Sequence, residues 1–242
     1  MIPYTAVCKK WEGYRDERKE LGCWWRKCVP VSDVTLSRRQ IAESEMPVFR
    51  GVSLADIVLV DSAEKSASAL AALREAPVIG FDTESKPTFR KGEVSTGPHL
   101  VQLATDRYVF LFPVTCAVNH PVLREILAAR HVIKAGFGLG NDRSALRSRL
   151  DIELNNVLDL GELLRGPGHR GTVGAKVAVA HYFGEKLIKS KRVGTSNWAN
   201  PRLDERQLLY AANDAHVALK IYHAWQADPS RHAPNLTRQE NS

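Results

Sequence analysis

The sequence predicts an α/β protein in which a mixed β-sheet carries helices on both faces. Three observations lead there. Three extended segments follow one another at residues 76–84, 99–105 and 108–113, and beyond them helical and extended segments alternate. The segment at 63–76 spaces its apolar residues by three and four, as a helix does. The chain has 242 residues, 44% hydrophobic and 25% charged, which suits one mid-sized globular domain with an extension or two small domains.

DIVLV (56–60) reads as a strand and AEKSASALAALREA (63–76) as a helix with apolar spacing of three and four. APVIGFDTE (76–84) reads as a strand, followed by a long polar loop, SKPTFRKGEVSTGP (85–98). HLVQLAT (99–105) and YVFLFP (108–113) form a predicted hairpin around Asp106-Arg107. PVLREILAAR (121–130) is a predicted helix, HVIKAGF (131–137) a strand, NDRSALRSRL (141–150) a helix and NNVLDL (155–160) a strand leading into a short helical piece. Residues 171–183 read as helical after a Gly-rich start, and KLIKSKRVGTSNWANPR (186–202) as a basic loop. The last helix, ERQLLYAANDAHVALKIYHAW (205–225), opens with Asp204 and Gln207 in capping-box positions.

Residues 1–46 mix Lys, Arg, Glu and Trp without sustained periodicity, and no core is evident in them. They are expected to be a poorly structured extension, or translation starts at Met46. Residues 47–226 form the expected domain and 227–242 a polar tail. No apolar run reaches the ~20 residues that span a bilayer, and the N-terminus lacks the apolar core of a secretory signal. The expectation is a cytoplasmic protein with no membrane partner and reduced cysteines. Cys8, Cys23 and Cys28 match zinc spacings poorly. A net charge of +7 favours a polyanionic partner.

Four carboxylates stand in or beside apolar text. Asp82 and Glu84, two apart on a strand, point to one face, and Gly80 on that face leaves room for bound atoms. An exposed strand end would explain the same pair. Asp142 projects from the first turn of its helix on the side of Ala145 and Leu146. An acid there also favours the helix dipole by about 0.3–1 kcal/mol, and Asn141 is an equal cap candidate. Tyr210 and Asp214, one turn apart, share a face of a helix that is apolar on almost every side. An Asp bonded to Tyr or to backbone would also satisfy that position, although Asp is a poor helix-interior residue. Buried carboxylates need a counter-charge. With no Lys or Arg inside the two most apolar of these segments, the expected one is a divalent cation. Oxygen-only ligands suit hard ions, Mg²⁺ or Mn²⁺.

A D-x-E strand, an Asp opening a helix and a Tyr-x-x-x-Asp helix, in this order, resemble the DEDD superfamily of 3′-5′ exonucleases. More narrowly they resemble its Tyr-containing branch, similar to the Werner-type and ribonuclease D catalytic domains. The resemblance spans residues 47–226 and includes HLVQLAT, AGFGLGND and KSKRVGTSNW. The sister His branch requires His five residues before the last acid, where this chain has Leu209. The resemblance implies a ribonuclease H-like fold. It also implies two Mg²⁺ or Mn²⁺ ions held by Asp82, Glu84, Asp142 and Asp214, with Asp82 bridging both. Glu84 and Asp214 would complete the first ion and Asp142 would hold the second. Tyr210 would orient the attacking water. The implied reaction removes nucleoside 5′-monophosphates from the 3′ ends of DNA, RNA or both.

Ser85 departs from the pattern, because many Werner-type relatives carry Trp there; Phe89 and Phe137 are the remaining candidates for base stacking. Lys189, Lys191, Arg192 and Asn197 are the expected substrate-binding residues, with Trp198 packing to anchor their loop. A solvated basic loop over a core Trp is the plainer alternative. The alternative function is a nucleic-acid-binding module with vestigial catalysis, and no protein partner is indicated.

Overall fold

The computed structural model describes residues 37–88, 90, 92–165 and 171–228. Cys8, Cys23 and Cys28 with their zinc spacing, Phe89, most of the expected extension and the tail beyond Asp228 lie outside these residues. A six-stranded sheet forms the centre, with β1 (Ile57–Leu59), β2 (Val78–Glu84), β3 (Leu100–Ala104), β4 (Val109–Pro113), β5 (Ile133–Gly136) and β6 (Val157–Asp159) in the order β1-β4-β3-β2-β5-β6. β2, β3 and β4 form an antiparallel meander. β1 joins β4 in parallel, and β5 and β6 add in parallel on the side of β2. The expected mixed sheet is present.

Helices cover both faces. Among the described residues these are α1 (Arg38–Glu43), α2 (Ala63–Arg74), α3 (His120–Ala128), α4 (Gly140–Leu150), α5 (Leu160–Leu163), α6 (Ala175–Phe183), α7 (Lys191–Gly194) and α8 (Glu205–Gln226). On one face, apolar side chains of α2, α3 and α4 pack with Ile79, Phe81, Val101, Leu103, Phe110 and Phe112. On the other, α8 lies over Val78, Leu100, Ala104, Val109 and Leu111 with α6 beside it. The strand period of two divides β2 between these cores: Ile79 and Phe81 face one, while Val78, Gly80, Asp82 and Glu84 face α8. The predicted capping box sets the start of α8. Asp204 accepts from Gln207 N at 2.8 Å, and the Gln207 side chain accepts from Asp204 N at 3.1 Å. Among the described residues no helix is long and apolar enough to cross a membrane.

Three expectations need correction. Gly80 does not hold space for bound atoms, because a Cβ there would stand 1.9 Å from the Ala215 carbonyl oxygen. The missing side chain lets α8 approach β2. Ordered structure also begins before Pro47, since Ser37 caps α1 and buries Ile41 to 4% exposure against the rest of the fold. Ile41 is the single buried residue of this six-residue helix, so the sequence had no periodic stripe to show. Finally, the expected basic loop contains α7, capped by Ser190.

Residues 47–52 strap the α8 face. Lys186 N donates to the Pro47 carbonyl at 2.7 Å, and Phe49 N donates to the Lys186 carbonyl at 2.9 Å. The Phe49 and Phe183 rings stack at 5.7 Å, and Val52 N donates to Asn213 Oδ1 at 3.0 Å.

The packing at Gly80 makes a direct prediction. Gly80→Ala drives a methyl group into helix backbone that cannot rotate away, and should cost about 2 kcal/mol or more. Gly92→Ala is the comparison for steric room, because nothing lies within 4 Å of its Cβ position and only its φ of +82° opposes the change. Urea unfolding measures both. A Gly80→Ala midpoint equal to that of the parent would refute the close approach.

Candidate active site

The acid end of β2 runs out beneath α8. One carboxylate oxygen from each of Asp82, Glu84 and Asp214 lies within 4.8 Å of the other two. Period two on β2 aims Asp82 and Glu84 at α8, and the close approach at Gly80 brings Asp214 down to meet them. Tyr210 sits one turn before Asp214. Its ring packs 6.0 Å from that of Trp198, and its hydroxyl lies against Gly194, where a Cβ would stand 2.6 Å from the phenolic oxygen.

Asp142 lies close enough to act on the charge of Asp82, but outside the tight group of three. It occupies the first turn of α4, where Leu139 is the N-cap and makes no side-chain cap bond. Neither Asp142 nor Asn141 therefore serves as the cap. Instead the Asp142 carboxylate accepts a hydrogen bond from Thr83 Oγ1. Thr83 stands between the two acids of β2 and points to the opposite face, which links the strand to α4. Asp159, at the end of β6, fixes the turn before α4 by accepting from the backbone N–H groups of Gly138 at 3.2 Å and Leu139 at 2.9 Å. Gly138 has φ of +71°, a conformation that favours glycine.

Besides the expected cation, the protein supplies a counter-charge from outside the segments that carry the acids. Lys189 reaches in from the connection between α6 and α7, and its Nζ lies 2.8 Å from Asp214 Oδ1. The same ammonium lies 5.6 Å from the Tyr210 ring centroid. Lys191 and Arg192 stay exposed on α7, away from any ion pair with the acids. Asn197 is also exposed and shapes its own turn, donating to Asn200 Oδ1 at 2.8 Å and accepting from Ala199 N at 3.2 Å. Trp198 packs as expected, 2% exposed, with its indole N–H donating to the Gly194 carbonyl at 3.2 Å. Phe137 packs partly buried against the α8-side core. Sequence reading missed Thr83, Asp159 and the ion pair of Lys189 with Asp214. Only the Gly-rich turn before Asp142 hinted at a fixed loop.

Electrostatics in this group favour protonation or a cation. Burial holds Asp82 well above the usual carboxylate range, reinforced by Asp214 and Asp142 and opposed by Lys189. Glu84 is pushed up to about 9, first by burial and then by Asp82 and Asp214. Burial also raises Asp214, against the pull of Lys189, and Asp142, against the Thr83 hydroxyl. Burial lowers Lys189, but the charge of Asp214, its hydrogen bond and the fields of Tyr210 and Asp82 together raise it above the usual lysine range. Tyr210 is pushed up to about 12, chiefly by burial, so it remains a phenol with a proton to donate at neutral pH. The donor set is all oxygen and strained by its own charge, which fits a hard divalent cation.

A family model described as 3′-5′ exonuclease matches residues 57–228, more than half of the chain. The mouse bifunctional 3′-5′ exonuclease/ATP-dependent helicase WRN is 30% identical over 152 residues, 62% of this chain and 11% of that protein. The exonuclease mut-7 homolog of Aedes aegypti is 33% identical over 223 residues, 82% of this chain and 30% of that protein. The chain thus spans a third or less of these relatives' length. The crystal structure of the Aedes aegypti Nibbler EXO domain aligns with a TM-score of 0.61 at 28% identity, covering 73% of this chain and 90% of that one. Trypanosoma brucei RNase D in complex with RNA U12 aligns at a TM-score of 0.64 and 24% identity, covering 72% of this chain and 63% of that one, a likeness of fold. The fold is ribonuclease H-like.

The raised acids fix the sign of a pH dependence. Below the ordinary Glu pKa of 4.5, Glu84 is protonated in both folded and unfolded chains. From there to about 9 only the folded chain keeps the proton, so stability falls as pH rises through that window. Chelated protein should therefore lose stability between about pH 5 and pH 9. Glu84→Gln should flatten the slope and exceed the parent in stability near pH 8, and added Mn²⁺ should restore the parent. Denaturant melts across pH, with and without Mn²⁺, measure this. A parent whose chelated stability rises over that window would contradict the burial of these charges.

Proposed function

The chain belongs to the 3′-5′ exonuclease family, and from that membership we propose that it is a metal-dependent 3′-5′ exonuclease of the Tyr-containing DEDD branch. It hydrolyses the terminal phosphodiester of DNA or RNA and releases nucleoside 5′-monophosphates. The observation that carries this reading is the convergence of Asp82, Glu84 and Asp214 within 4.8 Å, with Tyr210 one turn from Asp214.

Asp82, Glu84 and Asp214 would hold one Mg²⁺ or Mn²⁺, and Asp82 with Asp142 a second. Such ions supply charge to lower the pKa of an attacking water and to stabilise the departing oxygen. The protein contributes positioning. β2 and α8 fix three carboxylates at the height set by Gly80, and Thr83 orients Asp142. The phenol of Tyr210 keeps its proton and donates a hydrogen bond to the attacking water, aligning it with the phosphorus. The oxygen of that water bonds to phosphorus as its proton passes to solvent, and the bond from phosphorus to the 3′ oxygen of the preceding nucleotide breaks, that oxygen taking a proton from solvent to become a hydroxyl. Exposed Lys191 and Arg192 are suited to phosphates farther along the strand, where screening leaves modest contacts.

Two substitutions test the reading. Asp82→Ala should leave the fold intact, abolish release of mononucleotides and remove the thermal stabilisation by Mn²⁺; parental digestion of end-labelled single-stranded DNA, recessed duplex DNA and RNA would show the site misplaced. Tyr210→Phe removes one hydroxyl. If that hydroxyl aligns the attacking water, single-turnover cleavage at saturating metal should slow about 30- to 1000-fold, with the loss in kcat rather than KM. Equal rates would remove Tyr210 from the chemistry while leaving the acids in place.

A further inference from the structure

The segment carrying Lys189 is held on both sides. Hydrogen bonds to Pro47 and Phe49 pin Lys186, and the extended chain then alternates. Leu187 points inward at 7% exposure, Ile188 outward at 68%, and Lys189 inward again toward Asp214. Its ammonium forms one wall of a small cleft, open to solvent, that Phe49, Ile188, Tyr210, Asn213 and Asp214 also line. The position is built rather than incidental.

Lys189 sits where its charge reaches Asp82, Glu84 and Tyr210 as well as Asp214. Two divalent cations would balance the four carboxylates, leaving one ammonium over. A scissile phosphodiester brings one negative charge and gains more in the transition state. The oxygen that Lys189 occupies, Asp214 Oδ1, belongs to the carboxylate that a cation bound by Asp82, Glu84 and Asp214 must also engage. A flexible four-carbon stem allows a point charge to leave one oxygen for another nearby.

We propose that Lys189 is an exchangeable counter-charge: it competes with a divalent cation for Asp214 and, once displaced, contacts a non-bridging oxygen of the scissile phosphate. The phosphate contact rests on the exonuclease reading, whereas the competition for Asp214 does not. This differs from a clamp on the distant backbone, because it ties Lys189 to metal affinity and to the chemical step. Lys191 and Arg192, exposed on α7, do not share this position.

The test compares the parent with Lys189→Met, Lys189→Gln and Lys189→Arg in two measurements. Without substrate, the Mn²⁺ concentration giving half of the thermal stabilisation should fall on the order of tenfold in Lys189→Met and Lys189→Gln. It should stay near the parent's in Lys189→Arg. At saturating Mn²⁺, single-turnover cleavage should slow about 10²-fold in the two uncharged variants, with little change in KM, and recover in part with Arg. Lys189→Gln keeps a polar end group and carries both measurements if Lys189→Met does not fold. An unchanged or higher Mn²⁺ requirement in the uncharged variants would overturn the competition. Unchanged cleavage would overturn the phosphate contact. A parent that cleaves none of the three substrates would overturn the exonuclease reading, while the Mn²⁺ titration would still report on the competition.

Discussion

Helix α8 rests on β2 at Gly80 so closely that the Ala215 carbonyl fills the place of a side chain. That contact sets the height of Asp214 above the strand, and with it the distance from Asp214 to Asp82 and Glu84. A larger residue at Gly80 would lift the helix and open the carboxylate group, even though Gly80 itself touches no reacting atom. The geometry is shared between rigid elements, a central strand and a long capped helix, rather than left to loops. Sub-ångström positioning of charged groups needs such support.

The same arrangement holds charges together against their repulsion. Burial and mutual repulsion push the acids upward, and the fold answers with separate devices. Lys189 neutralises Asp214 and the Thr83 hydroxyl satisfies Asp142, while Asp159, whose charge itself raises Asp142, collects backbone N–H groups that orient the turn before α4. Each acts on a different part of the group. The domain thus maintains a cluster of buried carboxylates that must either hold protons or take up cations, a state a packed interior otherwise avoids.

Much of this was legible in the sequence. β2 showed itself as a short apolar run, and the two-residue step from Asp82 to Glu84 put both acids on one face whatever the tertiary fold. α8 showed itself by its length, its Asp204–Gln207 cap and the four-residue step from Tyr210 to Asp214. What stayed hidden depended on contacts between segments. Gly80 announced a missing side chain but not the helix that replaces it. Lys189 lies in text that reads as a basic loop, and its ion pair with Asp214 exists only once the 186–189 segment has been pinned by the strap. Thr83 points away from the acids it flanks, so the periodicity that revealed them concealed it. α1 buries a single side chain, too little for any pattern.

The strap from Pro47 to Val52 joins the early part of the domain to its last helix, through Lys186 and Asn213. Asp82 and Glu84 precede Asp214 by about 130 residues, so a ribosome must release α8 before Asp214 can share a cation with them. Contacts of such long sequence separation close late, after the entropy of the intervening loop has been lost. The segments from β2 to α7 are therefore made before the site can be complete. Folding of α8 brings Asp214 to the acids of β2 and, through Asn213, gives the strap its partner, so a cell meets the assembled acid group only once this helix has docked.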